Sequence, residues 1–282
     1  MNIVVGKLSG FCHGVKHTIE EANKVLGNEK VYCLGEIVHN ERVIKDLENN
    51  GMITVDNIEK VPNRSKLIIR AHGEEKNIYD RAKEKELEVI DLTCGNVKLI
   101  RNKVSEKKKD SFIVILGKNN HPETKGIISF AGNNSIIIEN EEDIDKLNER
   151  LKKSKINKIY IVSQTTFNID KFDKLIDLIK DKINVEIEVN KTICNATSNR
   201  QKETIKLSKN VDIMIIIGGK HSSNTKELEV VSKDNCSEVY LINDVEVLKK
   251  VNINKNKNIG IMAGASTPNI IVEEVINYLN SL

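Results

Sequence analysis

Three cysteines are spaced so that they divide the chain into near-equal arcs. Cys12, Cys94 and Cys194 lie 82 and 100 residues apart in a chain of 282 residues. Each follows an apolar, β-branched run and precedes a helix-like segment, so all three occupy the same point of a repeat. If the repeats pack around a pseudo-threefold axis, three thiolates converge on one point. Three thiolates without a fourth indicate an iron–sulfur cluster in which one iron has no protein ligand.

Polar side chains recur at matching positions in two loops of each repeat. The first loops contribute His39, His121 and Ser222, with Glu41, Glu123 and Asn224 two residues further on, and the second loops contribute His72, Thr165 and Ser266. Because these loops follow predicted parallel strands, the side chains should face one central cavity beside the cysteines. Neutral donors of this kind at helix N-termini suit a phosphate or diphosphate group.

An iron with an open position beside a phosphate pocket favours one kind of reaction. Such an iron acts as a Lewis acid toward a substrate oxygen, and a cluster delivers single electrons. The combination predicts the reduction of a small phosphorylated molecule with loss of a hydroxyl group. Glu123, with His121 two residues before it, is the natural proton donor. We interpret Glu41 as charge on the first turn of a helix.

Each of these residues also has a purely structural interpretation. A single cysteine at a strand end is more often a small buried hydrophobe, and Ser, Thr and Asn often cap helices without a ligand. Equivalence across three repeats favours the functional interpretation here. Cys33 and Cys236 lack that placement, so we expect them to be ordinary structural cysteines. His13 and His17 stand four residues apart, but without a third ligand they do not indicate a metal site.

The elements that must position these residues follow one pattern along the chain. Apolar runs of four to six residues alternate with amphipathic stretches of ten to fifteen, which is typical of βαβ units. This predicts an α/β fold of three similar lobes, each a small parallel sheet with flanking helices, arranged with pseudo-threefold symmetry around a central iron–sulfur cluster. The predicted lobes are residues 13–93, 94–193, and 194–282 together with 1–12. The N-terminal run MNIVV must supply the fourth strand of the third lobe.

Composition excludes several other classes of protein. No run of 18 apolar residues exists, which argues against a membrane span, and the N-terminus lacks the pattern of a signal peptide. A net charge of +3, with both signs interspersed, does not form the basic stripe of a nucleic-acid-binding protein. Five cysteines without CxxC pairs indicate a reducing compartment, so we expect a cytoplasmic protein.

Nine motifs of this chain resemble those of the 4-hydroxy-3-methylbut-2-enyl diphosphate reductase family. In order, they are GFCHGV, GEIVHN, RAHGE, DLTC, HPETKG, SQTT, TICNATSNRQ, HSSN and AGASTP. They stand in the family's order from Cys12 to Pro268, so the resemblance covers nearly the whole chain. One such motif is weak, whereas an ordered series of nine is specific.

The resemblance implies a cofactor, a reaction and a set of site residues. It implies one 4Fe-4S cluster with an open iron site, held by Cys12, Cys94 and Cys194. It also implies that an allylic diphosphate loses its 4-hydroxyl through two electrons and two protons, giving isopentenyl and dimethylallyl diphosphate. The implied diphosphate contacts are His39, His72, Ser222, Ser223, Asn224 and Ser266; His121, Thr165 and Glu123 surround the substrate hydroxyl, and His121 also reaches the diphosphate. A ferredoxin or flavodoxin is the implied electron donor.

Three positions depart from the family pattern. His13 follows the first cysteine where a small residue is usual, Gly95 follows the second where proline is usual, and His221 stands where asparagine is common. None of them removes a ligand. Two alternatives stay open: an iron–sulfur hydratase that uses the open iron only as a Lewis acid, and a cluster-bearing module that senses a metabolite.

Overall fold

A computed structural model of the chain describes residues 2–27, 29–154 and 156–282. The strands are β1 (Asn2–Val5), β2 (Val31–Leu34), β3 (Met52–Val55), β4 (Lys66–Ile69), β5 (Glu88–Asp91), β6 (Phe112–Leu116), β7 (Ser135–Ile138), β8 (Lys158–Ser163), β9 (Glu186–Val189), β10 (Ile213–Ile217), β11 (Glu238–Ile242) and β12 (Asn258–Ala263). The helices are α1 (His13–Val25), α2 (Glu41–Asn49), α3 (Lys76–Glu84), α4 (Gly95–Lys107), α5 (Pro122–Ala131), α6 (Asp143–Ser154), α7 (Ile169–Lys182), α8 (Asn195–Ser208), α9 (Ser223–Lys233), α10 (Val245–Leu248) and α11 (Asn269–Ser281), with a 3-10 turn at Ile58–Lys60.

The strands form three parallel sheets that share one topology. The first sheet has the order β3-β2-β4-β5, the second β7-β6-β8-β9 and the third β11-β10-β12-β1. In the third sheet β1 pairs in parallel with β12, which places Val4 opposite Gly260. The α/β fold of three small parallel sheets is therefore confirmed. The N-terminal segment does supply the fourth strand of the third sheet.

Burial along the strands explains which of them lie in the middle of a sheet. All five residues of β6 (FIVIL) and of β10 (IMIII) are buried, as expected for parallel strands that helices cover on both faces. The edge strands β5 (EVID) and β9 (EIEV) combine charged with apolar residues and are partly exposed. Charged residues on an edge strand oppose pairing with another chain.

Amphipathic helices complete each lobe by covering its sheet. In the second lobe, Leu147 and Leu151 of α6 and Phe172 and Ile176 of α7 pack on the apolar face of β6, where Val114 is buried. Burying one such side chain contributes about 1.5–3 kcal/mol. None of the described helices combines the length and hydropathy needed to cross a lipid bilayer.

The chain divides into two compact units. One consists of Met1–Ile19, Val38–Leu47 and Asn195–Leu282 and contains the third sheet; the other consists of Glu20–Ile37 and Glu48–Cys194 and contains the first and second sheets. The lobe boundaries at 13–93, 94–193, and 194–282 with 1–12 stay a prediction, as does the threefold arrangement of the lobes around a cluster.

Candidate functional site

Each sheet has one point where its strand order reverses. It lies between β2 and β4 in the first sheet, between β6 and β8 in the second and between β10 and β12 in the third. In open parallel sheets, ligands bind beyond the carboxyl ends of the strands at such a point. The loops after these strands carry the predicted polar residues, namely His39 and His72, His121 and Thr165, and Ser222 and Ser266.

The three aligned cysteines occupy equivalent places between a strand and a helix. Cys12, Cys94 and Cys194 immediately precede the first residues of α1, α4 and α8. Their backbone N–H groups donate to the carbonyls of Ala265, Ala71 and Thr165, at 3.1, 2.9 and 3.0 Å respectively. Each cysteine is thus attached to a loop of its own sheet, namely the loop after β12, β4 or β8 respectively. Their convergence on a single point stays a prediction.

The donor chemistry of these cysteines fits an iron–sulfur cluster. None of the five cysteines, all of which the structure describes, is in a disulfide, and the three aligned ones are partly exposed, whereas Cys33 and Cys236 are buried. The backbone N–H of Val15 donates to the sulfur of Cys12 at 3.4 Å. Burial raises the pKa of the Cys33 thiol to about 12, so that side chain stays protonated at neutral pH.

Glu123 is a buried carboxyl group held by Thr165. The backbone N–H of Thr165 donates to Oε1 at 2.6 Å, and its hydroxyl donates to Oε2 at 2.7 Å. Glu123 is 1% exposed. Burial raises the pKa of Glu123 to about 7, although both bonds from Thr165 act in the opposite direction. A carboxyl group of this kind exists in both protonation states near neutral pH, which suits proton transfer.

His121 fixes the start of α5 and has an assignable tautomer. Its Nδ1 accepts the backbone N–H of Glu123 at 3.1 Å. A ring nitrogen that accepts a hydrogen bond carries no proton, so in the neutral imidazole the proton sits on Nε2. The ring of His72 meets that of His121 edge to face, with centroids 5.4 Å apart. Two histidines and one acid therefore lie together in the unit that holds the first and second sheets.

The loop that carries His72 is held by charge and by a close backbone approach. Arg70 and Glu74 flank His72 and form an ion pair of 2.7 Å between largely buried side chains. Burial raises the pKa of Glu74, and the nearby Arg70 opposes that effect. A Cβ at Gly126 of α5 would lie 3.3 Å from the Glu74 carbonyl oxygen, so glycine permits this approach.

A second group of predicted residues lies beside the third sheet. Ser222 caps α9 by accepting the N–H of Thr225 at 3.3 Å, and Ser223 is buried. Asn224 is 4% exposed, and neither its side-chain oxygen nor its nitrogen has a hydrogen-bond partner within the part of the chain that the structure describes. Buried polar atoms without partners carry a free-energy penalty, so this amide group is suited to meet a ligand. The Ser266 hydroxyl donates to the His39 carbonyl at 3.2 Å.

One residue at the site was not identified from the sequence. Asn40, rather than His39, caps α2, because its side-chain oxygen accepts the N–H of Val43 at 3.2 Å. The first repeat has one more residue before its helix than the other two, so His39 precedes the cap, whereas the aligned His121 and Ser222 are themselves caps. The Asn-Glu pair before an apolar periodicity is a helix-start signal that could have shown this. Glu41 is an exposed first-turn acid, as interpreted from the sequence.

The three departures from the motif pattern lie where the backbone tolerates them. His13 is the exposed first residue of α1. A Cβ at Gly95, the first residue of α4, would meet no heavy atom within 4 Å, so a larger residue would fit there. His221 is exposed in the turn before Ser222.

Comparison with known proteins gives matches along the whole chain. The family model described as LytB protein matches residues 3–280. A 4-hydroxy-3-methylbut-2-enyl diphosphate reductase of Clostridioides difficile (strain 630) is 41% identical over 285 residues, covering 100% of both chains. A reductase of the same name from Caldanaerobacter subterraneus subsp. tengcongensis is 39% identical over 288 residues, covering 100% of this chain and 98% of its own.

Solved structures are similar in fold as well as in sequence. The E-1-hydroxy-2-methyl-but-2-enyl-4-diphosphate reductase of Plasmodium falciparum has a TM-score of 0.86 and 34% identity, covering 100% of this chain and 87% of that one. A second structure, of (E)-4-hydroxy-3-methyl-but-2-enyl diphosphate reductase, the terminal enzyme of the non-mevalonate pathway, has a TM-score of 0.70 and 35% identity, with full coverage of both chains.

Proposed function

Because the chain belongs to the LytB protein family, we propose that it is an enzyme that reduces 4-hydroxy-3-methylbut-2-enyl diphosphate. The reaction removes the 4-hydroxyl as water with two electrons and two protons and gives isopentenyl and dimethylallyl diphosphate. It is the last step of the methylerythritol phosphate, or non-mevalonate, route to isoprenoids. The match over residues 3–280 agrees with the resemblance seen in the nine motifs.

The cofactor of this proposal is one 4Fe-4S cluster with an open iron site. Cys12, Cys94 and Cys194 would hold it, since they are the three partly exposed cysteines and each stands at a strand-to-helix junction. When bound, the cluster would supply electrons and an iron that accepts a substrate oxygen. A ferredoxin or flavodoxin would reduce it. Five cysteines without a disulfide support a reducing compartment such as the cytoplasm.

The substrate is a small allylic diphosphate, and we assign its diphosphate to the polar residues of the loops. The proposed contacts are His39, His72, His121, Ser222, Ser223, Asn224 and Ser266. Asn224 supports this assignment most directly, because its buried amide group has no partner among the described residues. In a pocket closed to water, hydrogen bonds to a charged diphosphate are stronger than neutral ones.

The state of the Glu123 carboxyl group is the observation that most directly supports reductive loss of a hydroxyl. Its pKa is raised to about 7 by burial, so a proton is available at neutral pH. Thr165 binds both carboxyl oxygens and orients the group. We assign Glu123 as the acid that protonates the leaving hydroxyl, with His121 and Thr165 as relay and orienting groups. Thr165 contacts the carboxyl group itself, and His121 accepts the backbone N–H of Glu123 in the same unit.

The test is an assay under strictly anaerobic conditions. Purified protein is analysed for iron and sulfide, then mixed with reduced viologen dye and 4-hydroxy-3-methylbut-2-enyl diphosphate. We expect close to four irons per chain, dye oxidation that depends on the diphosphate, and two products without the hydroxyl. Turnover of the diphosphate without oxidation of the dye would contradict the proposal and indicate hydratase chemistry. Binding without any turnover would indicate a sensing module.

A further inference from the structure

The segment that leads to Cys12 is longer than the segments that lead to the other two cysteines. Residues 6–11 separate the end of β1 from Cys12, whereas residues 92–93 precede Cys94 and residues 190–193 precede Cys194. Lys7 and Leu8 are exposed, so burial of their side chains does not hold the segment. Every additional ordered residue loses backbone entropy. A fixed position for Cys12 therefore requires other contacts.

Arg200 supplies two of these contacts. Its side chain is 4% exposed and lies in α8. The Nε donates to the carbonyl of Leu8 at 2.7 Å, and Nη2 donates to the carbonyl of Gly10 at 2.6 Å. Hydrogen bonds from a charged guanidinium are stronger than neutral ones, and its planar fork fixes the direction of each. Arg200 therefore holds two carbonyls of residues 6–11.

Glu203 holds the N–H groups of the same segment. Its Oε1 accepts the backbone N–H of Lys7 at 2.7 Å, and its Oε2 accepts that of Leu8 at 2.9 Å. Arg200 and Glu203 are three residues apart in α8, so they share one face of the helix. Together they satisfy four backbone groups in residues 7–10, which are two donors and two acceptors.

The backbone between the residues that Arg200 and Glu203 bind and Cys12 has little conformational freedom. Gly10 has a φ of +95°, and a Cβ at this position would collide with the side-chain oxygen of Asn269. Two residues later the N–H of Cys12 is bound to the Ala265 carbonyl at 3.1 Å. The cysteine is therefore fixed from both sides, by α8 through residues 7–10 and by the loop after β12.

We propose that Arg200 and Glu203 are positioning residues for Cys12, which hold its thiol in place before an iron–sulfur cluster binds. This inference rests on the proposed function, because it takes Cys12 as a cluster ligand. The two side chains act through the backbone of residues 7–10 and do not themselves touch the cluster. Their loss should therefore affect cluster retention, and diphosphate binding should change little.

The first experiment measures the reactivity of each thiol in the metal-free full chain. The variants are Glu203→Gln, which keeps the shape but loses one acceptor oxygen, and Arg200→Lys, which keeps the charge but loses the fork. Lys202→Ala, at an exposed position of the same helix, is the control. Anaerobic iodoacetamide labelling is followed by peptide mass spectrometry. We expect Cys12 to react about tenfold faster in both variants, with Cys94 unchanged in the same molecules and both cysteines unchanged in the control.

Equal labelling rates at Cys12 in the wild type and in Glu203→Gln would overturn the proposal. So would a parallel rise at Cys94, because that would mean general loosening of the fold. If Arg200→Lys does not fold, Glu203→Gln decides the question alone.

The second experiment uses the cluster-loaded protein. Both variants should release iron to a chelator about tenfold faster than the wild type and show an altered electron paramagnetic resonance signal. Lys202→Ala should do neither. Iron release at the wild-type rate with an unaltered signal would overturn the positioning role. A wild-type chain that takes up no iron would contradict the proposed function, while the labelling result would still stand by itself.

Discussion

Thr165 binds both carboxyl oxygens of Glu123, one through its backbone N–H and one through its hydroxyl, at 2.6 and 2.7 Å. The two residues are 42 positions apart, with Glu123 in the first turn of α5 and Thr165 in the loop after β8. Burial favours the protonated acid, and the two donors favour the carboxylate. The balance places the pKa at about 7. The Thr165 hydroxyl is also able to accept a hydrogen bond from the protonated acid, since a hydroxyl both donates and accepts.

The first prediction concerns the proton that leaves Glu123. Glu123→Gln keeps the shape of the side chain but has no acidic proton, so substrate should still bind while turnover falls by about 10²–10⁴. Steady-state kinetics with reduced dye measures the turnover, and binding is followed by the cluster spectrum. Glu41→Gln, at an exposed acid, is the matched control and should keep wild-type turnover. A Glu123→Gln variant with near wild-type turnover would leave water or the substrate diphosphate as the acid.

The second prediction is a shift in the pH profile. The acid form of Glu123 is required, so kcat/KM should fall as the pH rises through about 7. Thr165→Val removes the hydroxyl donor that lowers the pKa of Glu123, so the alkaline limb should move up by about one pH unit. Kinetics from pH 6 to 9 in both proteins measure this shift. If the alkaline limb of Thr165→Val lies at the same pH as that of the wild type, a group other than Glu123 limits the rate.

The third prediction concerns stability, and its sign follows from the direction of the pKa shift. The pKa of Glu123 rises from 4.5 to about 7 on folding, so the folded chain holds this proton more tightly than the unfolded chain. This contribution is complete below about pH 4.5 and is lost as the pH rises through 7.

Glu123→Gln lacks this contribution, so the difference in unfolding free energy between wild type and variant should change with pH. Between pH 5.5 and 8 the wild type should lose about 2 kcal/mol relative to Glu123→Gln. Urea unfolding of the metal-free proteins at several pH values measures it. A difference that is constant with pH would show that Glu123 has an ordinary pKa.

The repeated sheets were predictable because each repeat carries its own local signals. Runs such as FIVIL and IMIII are long enough and apolar enough to indicate buried parallel strands, and they recur at similar distances from Cys94 and Cys194. The sequence after Cys194 contains only three strand-like runs, so the N-terminal run MNIVV has to supply the fourth strand of the third lobe. Its pairing with β12 agrees with that inference.

Contacts between distant residues were not predictable in the same way. The Glu203 carboxylate binds the N–H of Lys7 across 196 positions, and no pattern near either residue indicates that pairing. The α2 cap at Asn40 was not predicted for a different reason, since spacing alone does not show where a helix starts. The partners of Glu123 likewise emerge only from the folded loops.

The fourth prediction concerns the diphosphate. His39→Ala and His72→Ala should weaken binding of substrate and of inorganic diphosphate, because each removes a hydrogen bond to a charged group worth about 1.5–3 kcal/mol. That loss corresponds to about a tenfold to hundredfold change in affinity. Inhibition constants measure the effect, and the cluster spectrum should be unchanged. His17→Ala, at an exposed position of α1, is the matched control. Unchanged inhibition in both variants would mean that these loops do not meet the diphosphate.

The last prediction separates the cysteines into two classes. Cys12→Ser, Cys94→Ser and Cys194→Ser should each abolish the brown colour and reduce iron from about four per chain to nearly none, because each removes one thiolate of the cluster.

Cys33→Ala and Cys236→Ala should keep full iron content. The sulfur of Cys33 is buried, and that of Cys236 lies 3.4 Å from the carbonyl of Asp212, so both have structural surroundings. Losing a buried sulfur should lower stability by about 1 kcal/mol without changing the spectrum. Iron and sulfide analysis of anaerobically reconstituted protein measures all five variants. Full iron content in Cys94→Ser, or loss of iron in Cys236→Ala, would refute the ligand assignment, since equivalent position in the three lobes is the basis on which these three thiols are chosen.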